Sequence, residues 1–307
     1  MNNTITTIDL GSNSFRVLIY DCLKNKILDE YNEAVGMADG LNSTGVISDD
    51  ALKRVVQAAK KSIEKLDYDP KKAICVTTAA MRMAKNSQEV LDFFKKELDL
   101  NFKIIDGVEE ARLTLMAVRY ALKRENINSS KFILLDIGGG STEIIVNNFD
   151  KFNSKSFDFG IVTLTQKYLT KEGLISQLNI YKKDIKIFLD SLNINLDEYS
   201  FVATAGTPTT VAAVKLGQDF FNYDKDKVNG TNVNLDDLDD CLNIFSNSDV
   251  QTITKLVGKG RVEFIQTGIF IYKAIFEVLQ KNNSIVLDDG LREGVAVDYC
   301  VKKGLCK

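Results

Sequence analysis

Two segments of this chain repeat one pattern, with Asp9 and Asp136 standing 127 positions apart. The first reads Ile8, Asp9, Leu10, Gly11, Ser12, Asn13, Ser14, Phe15, Arg16, and the second Leu135, Asp136, Ile137, Gly138, Gly139, Gly140, Ser141, Thr142, Glu143. Each runs from an apolar strand into an aspartate, through a tight Gly/Ser turn, and out along a second apolar strand. Such a turn aims successive backbone N–H groups into one concavity suited to phosphate oxygens. The aspartate at the strand end can hold a hard cation, directly or through water. Asp-x-Gly also occurs in ordinary hairpins, so one copy would say little. The repetition in register says more, because the matching positions after the turn carry opposite charges, Arg16 and Glu143. A structural duplication needs no inverted charge, whereas a site for an anion and a cation does. The pattern implies two related halves clamping a polyphosphate and its metal, hence phosphoryl transfer or phosphate hydrolysis.

At 307 residues the chain is long enough for two domains. Two prolines and no low-complexity tract argue against a long disordered linker. A strand starts within a few residues of the N-terminus, so no signal peptide is expected. The apolar stretch 264–279 is interrupted by Gln266, Lys273 and Glu277 and reads as a buried helix rather than a membrane span. A cytoplasmic protein is expected. The cysteines Cys22, Cys75, Cys241, Cys300 and Cys306 are scattered and lack a C-x-x-C spacing, so they read as reduced thiols without a disulfide framework or zinc site. There is no histidine. Its absence excludes Ser-His-Asp and Cys-His hydrolysis, phosphohistidine chemistry and His-ligated metals, and leaves acid–base work to carboxylates, Lys, Tyr or Cys. A net charge of −3 disfavours general nucleic-acid binding.

Periodicity places strands at 4–9, 15–20 and 26–31, a helix at 51–66, a strand at 73–77, a helix at 91–98, and a strand at 102–105 leading into a helix at 109–123. The polar segment 125–130 is the expected boundary between domains 1–126 and 127–290, with a C-terminal helix at about 291–307 packing back on the first. The second half restarts with strands at 131–136 and 143–147. A further strand at 201–203 meets Thr204, Ala205, Gly206, Thr207, Pro208, where Gly206 and Thr207 open a helix and form a second anion-binding device. The segment 76–82 holds a similar place in the first half. The expected fold is α/β: two related domains with mixed sheets and a cleft between them.

These motifs resemble the exopolyphosphatase and guanosine pentaphosphate phosphohydrolase family, a branch of the actin-like (ribonuclease H-like) phosphate-binding folds. The matching pieces run in order along nearly the whole chain: 8–16 (IDLGSNSFR), 77–86 (TTAAMRMAKN), 105–113 (IDGVEEARL), 136–143 (DIGGGSTE), 160–165 (GIVTLT), 204–210 (TAGTPTT) and 289–294 (DGLREG). Without histidine, the chain resembles the short form that lacks the His-Asp domain of longer members. The resemblance departs around 258–268, where only Arg261, Glu263 and Gly268 match.

By the resemblance, Glu110 is the base that activates water; Arg82, at the end of the element that mirrors the Gly206 turn, is a candidate to neutralise phosphate oxygens through forked hydrogen bonds. Adjacent helix residues point about 100° apart, so Glu109 is expected to be solvated or to cap the helix. Asp9, Asp136 and Glu143 are the expected ligands of Mg²⁺ or another divalent cation. Turn capping is the alternative for the two aspartates; Glu143 shows no obvious local partner. Asn13, Ser14, Arg16, Gly138, Gly139, Gly140, Ser141, Gly206 and Thr207 would cradle phosphate. Lys255, Lys259 and Arg261 either follow an extended polyphosphate or form a solvated loop. Polyphosphate or guanosine pentaphosphate is the expected substrate, and a homodimer stays open. Against this stand an ATP-dependent kinase of the same superfold and a sensor that binds without turnover.

Overall fold

The computed structural model describes residues 3–305. They divide into two compact units, one made of the described residues up to Ala117 together with those from Asp289 onward, the other of residues 118–288. The division falls within the helix Gly107–Arg124, earlier in the chain than the polar 125–130 segment.

In the first unit the described strands are β1 (Thr4–Leu10), β2 (Ser14–Asp21), β3 (Lys26–Ala34), β4 (Ile74–Thr77) and β5 (Phe102–Ile104), ordered β3-β2-β1-β4-β5. β1, β2 and β3 form an antiparallel meander, and β4 and β5 add in parallel. Central β1 buries Ile5, Ile8 and Leu10 together with Thr7 and Asp9, as a strand covered on both faces does. Edge strand β3 is polar and largely solvated, which protects the open edge. The helix Asp49–Leu66 begins where Ser48 accepts from the Ala51 N–H, with Asp49 and Asp50 in its first turn and Lys65 in its last, each placed to suit the helix dipole. The C-terminal helix Leu291–Lys302 packs on β1 and β2, and its Leu291 and Val295 share a core with Val76, Ile105 and Leu113.

The second unit repeats the wiring. β6 (Lys131–Ile137), β7 (Thr142–Asn148) and β8 (Lys151–Phe157) are antiparallel, β9 (Ser200–Thr204) joins β6 in parallel, and β11 (Asn283–Val286) joins β9 in parallel. The extra strand β10 (Thr231–Asn234) pairs antiparallel with β11, giving the order β10-β11-β9-β6-β7-β8. Both units are therefore α/β with mixed open sheets, the actin-like arrangement. The helix Ile265–Leu279 packs Tyr272 and Phe276 against Phe201 of β9, the Phe201 and Phe276 rings edge to face at 4.9 Å. Among the described residues no helix is long and apolar enough to cross a membrane.

Two expectations are corrected. Cys22 and Cys300 are not reduced thiols: they form a disulfide, with a Cα–Cα distance of 5.3 Å. Cys75 and Cys241 are buried free thiols, and burial pushes both up to about 12. Cys306 lies outside the described residues. The C-terminal helix ends at Lys302, and the last two positions expected in it also fall outside.

Candidate functional site

The two aspartate turns have the same hydrogen-bonded register. Gly11 N–H donates to the Ser14 carbonyl at 3.0 Å, and Gly138 N–H to the Ser141 carbonyl at 2.9 Å. Asp9 pairs across the ladder with Arg16, and Asp136 with Glu143. Directly opposite residues of an antiparallel pair point to one face with Cβ atoms about 5 Å apart. The first rung thus sets opposite charges in register. The second sets two carboxylates side by side, and Glu143 is only 1% exposed. Like charges set side by side repel unless something positive intervenes, so these two carboxylates could hold a hard cation. Glu143 does have a local partner, contrary to the sequence expectation: Ser156, its neighbour on edge strand β8, donates to it at 2.7 Å. Among the described residues no group of three or more Cys, Asp or Glu side chains could hold a metal ion.

Each turn is locked by the chain that follows its third strand. The Asn13 carbonyl accepts from Val35 and Gly36, and the Ser12 carbonyl from Ala38. In the second unit Ile161 N–H donates to Gly138 at 3.0 Å and Val162 N–H to Gly139 at 2.8 Å. That approach requires Gly160, because a Cβ there would stand 2.5 Å from the Gly138 carbonyl oxygen and 2.6 Å from Gly139. The 160–165 motif is therefore the brace of the glycine turn.

In the first unit β4 leads through Thr78 into the short helix Ala79–Met83, which carries Arg82. Two residues after β5, Asp106 caps the helix Gly107–Arg124, its carboxylate accepting from the Glu109 N–H at 2.8 Å. Glu110 lies in the first turn and is buried at 8% exposure. Arg82 donates to Glu110 at 2.7 Å and to the Ile105 carbonyl at 2.9 Å. The two chosen from sequence thus meet. Glu109 is half-exposed and is not the cap, which Asp106 supplies. Its carboxylate takes both arms of the Arg112 fork at 2.7 and 2.8 Å, and the Arg112 hydrogen bonds hold it below the usual carboxylate range.

In the second unit β9 delivers Ala205 and the helix Gly206–Lys215. Thr207 is buried against Gly268, where a Cβ would come within 2.1 Å of the threonine hydroxyl. A Cβ at Gly206 would meet the Arg261 guanidinium at 3.1–3.3 Å, so Arg261 lies against this helix start. Lys255 instead reaches Asp219 at 3.6 Å. Sequence reasoning did not single out Tyr223, which is 38% exposed and lies near Thr209, Asp288 and Arg261. Partial burial, then the Asp288 carboxylate, push its phenol above the ordinary range. Nothing in its polar surroundings in the sequence signals this.

A sequence profile described as the Ppx/GppA phosphatase family matches residues 19–303. The chain belongs to the Ppx/GppA phosphatase family. The matched span includes Glu110, Arg82 and the 136–143 turn, and begins after the first aspartate turn. Among Ppx/GppA relatives, a Pseudoalteromonas atlantica protein named as a guanosine-5'-triphosphate,3'-diphosphate pyrophosphatase is 26% identical over 94% of this chain and 57% of its own length. A Haemophilus influenzae protein with a provisional exopolyphosphatase name is 28% identical over 95% of this chain and 90% of its own. The solved structure of the Aquifex aeolicus Ppx/GppA family member is 28% identical, with 98% of each chain covered and a TM-score of 0.75. The chain spans about half the length of the larger curated relatives that it matches, 44% and 57% in two of them.

Proposed function

We propose that this Ppx/GppA phosphatase releases the terminal phosphate of inorganic polyphosphate, of guanosine pentaphosphate, or of both, by in-line attack of water. The observation that carries the reading is the buried Glu110 carboxylate, fixed by Arg82 in the first turn of its helix. Arg82 donates to this carboxylate, which is the base that accepts a proton from the attacking water. Arg82 holds the base in position and brings positive charge to the phosphoryl oxygens. Each aspartate turn, and separately the Gly206–Thr207 helix start, offers backbone N–H groups suited to phosphate oxygens.

Asp136 and Glu143 would hold a divalent cation, Mg²⁺ foremost, because that ion takes one or two carboxylates and fills its shell with water and phosphate oxygens. When bound it neutralises charge developing on the transferred group. Asp9 is the matching aspartate of the first turn, with Arg16 opposite it on the ladder. The relatives' names include both substrates at similar identity, so both belong in the test.

Phosphate release is measured from long-chain polyphosphate and from guanosine pentaphosphate with Mg²⁺, beside the Glu110→Gln protein. The variant is expected to keep its fold and to lose about 10²- to 10⁴-fold in rate. Full activity in the variant would remove Glu110 as the base. A folded wild type that releases phosphate from neither compound would overturn the hydrolase.

A further inference from the structure

Cys22 directly follows β2, and Cys300 lies near the end of the helix Leu291–Lys302. The same stretch of that helix is tied to the Glu110 helix in other ways. Asp298 accepts from Arg112 at 2.9 Å and from Lys302 at 2.6 Å, and Arg112 clasps Glu109, the neighbour of Glu110. One turn earlier, Gly294 lies so close to Leu113 that a Cβ would stand 2.0 Å from the Leu113 carbonyl oxygen. The start of the helix has separate anchors: Glu293 accepts from the Gly290 N–H, Arg292 pairs with Glu293, and Thr7 donates to the Arg292 carbonyl. The disulfide therefore secures the end of the helix that the other anchors leave to Asp298 and packing.

We propose that the Cys22–Cys300 bond is a dithiol-cleavable tether, and that its oxidation state sets how firmly the terminal helix braces the turn carrying Glu109 and Glu110. A dithiol reductant supplies the chemistry in balance. Its thiolate attacks one protein sulfur and the S–S bond breaks to a mixed disulfide. Its second thiol then closes a ring on the first, leaving a cyclic disulfide and two protein thiols that have gained two electrons and two protons. Both cysteines are buried, at 1% and 0% exposure, so attack requires the end of the helix to open. Exposed Val301, Lys302 and Lys303 beside it make that opening local. Once the bond is cut, the end of the helix frays, the Asp298–Arg112 contact loosens, and the first turn of the Glu110 helix loses its brace. The effect on catalysis rests on the phosphohydrolase reading; the tether does not.

The test compares the oxidised protein, the protein reduced with excess dithiothreitol, and the Cys22→Ser/Cys300→Ser variant. Each is assayed by alkylation mass spectrometry, by amide hydrogen exchange over 107–112 and 294–302, and by phosphate release. The expected result is one protected cysteine pair in the oxidised protein, exchange about tenfold faster in both segments after reduction, a severalfold slower turnover, and a variant that matches the reduced protein and ignores dithiothreitol. Free thiols at Cys22 and Cys300 before reduction, or unchanged exchange over 107–112 after it, would overturn the tether. Exchange decides the tether whether or not phosphate is released, so its failure is separable from failure of the hydrolase.

Discussion

Ala205 has φ 74° and ψ −176°, a region that essentially only glycine adopts freely. It stands between β9 and the Gly206 helix start, where the chain must turn its N–H groups outward. Holding a non-glycine residue there costs about 1–3 kcal/mol, while glycine would give back roughly 0.4–1 kcal/mol through the freedom of the unfolded chain. Ala205→Gly is therefore expected to stabilise by on the order of 1 kcal/mol, read as a higher urea midpoint with an unchanged slope. A lower midpoint would mean the conformation carries no strain. At this scale the sequence was legible where partners are close along the chain. Asp9, Asp136 and the Gly138–Ser141 turn are short-range patterns, Glu110 followed from the resemblance, and Arg82 from the segment that mirrors the Gly206 turn. Ser156 escaped notice because it sits on a polar edge strand that periodicity does not mark. The Tyr223–Asp288 contact escaped because loops bring those two residues together.

Among the elements, the brace behind the glycine turn and the pair of helices around Arg112 are the parts most open to test. Gly160→Ala pushes a methyl group into the Gly138–Gly139 backbone, where no flexible side chain can yield. It is expected to cost about 1–3 kcal/mol and to slow phosphate release more than its modest destabilisation explains, since it displaces the turn itself. Thermal unfolding and turnover on the same preparation check this. The Arg112 cluster predicts an acid limit. Burial works against charge on Asp298, but hydrogen bonds from Arg112 and Lys302 outweigh it and hold the carboxyl low, as Arg112 does for Glu109. Carboxyls depressed by folding contribute stability that is complete above their unfolded value, near pH 4, and lost as pH falls through the folded value. The melting temperature should thus hold from pH 7 to about 5 and fall below about 4, with a shallower fall in Arg112→Met. An equal fall in that variant would exclude the cluster as the cause. The sequence marked β1, β2, β6 and β7 through their continuous apolar runs. It did not mark β8, β10 or β11, which are polar or four residues long and owe their place to their neighbours.

For the molecule as a whole, the disulfide is the feature least visible in the sequence. Its cysteines are 278 positions apart, and scattered thiols carry no pairing signal. Closing so long a loop restricts the unfolded chain strongly, so Cys22→Ser/Cys300→Ser should lower unfolding free energy by about 2–5 kcal/mol. Equilibrium denaturation under oxidising conditions measures it, and a loss below a few tenths would show that the bond adds nothing to the native state. The repeated strand order, by contrast, was foreshadowed by the repeated turns, because one duplicated hairpin imposes the same start on each sheet.

The first unit is also discontinuous: the whole of residues 118–288 is inserted between its two parts. As the chain leaves the ribosome, the second unit has all of its residues before the first does, although it is encoded later. The turn bearing Glu110 then waits, half built, for the residues from 289 onward. A chain cut short before residue 289 would keep every residue proposed for the chemistry and lack the helix Leu291–Lys302 that packs beside that turn.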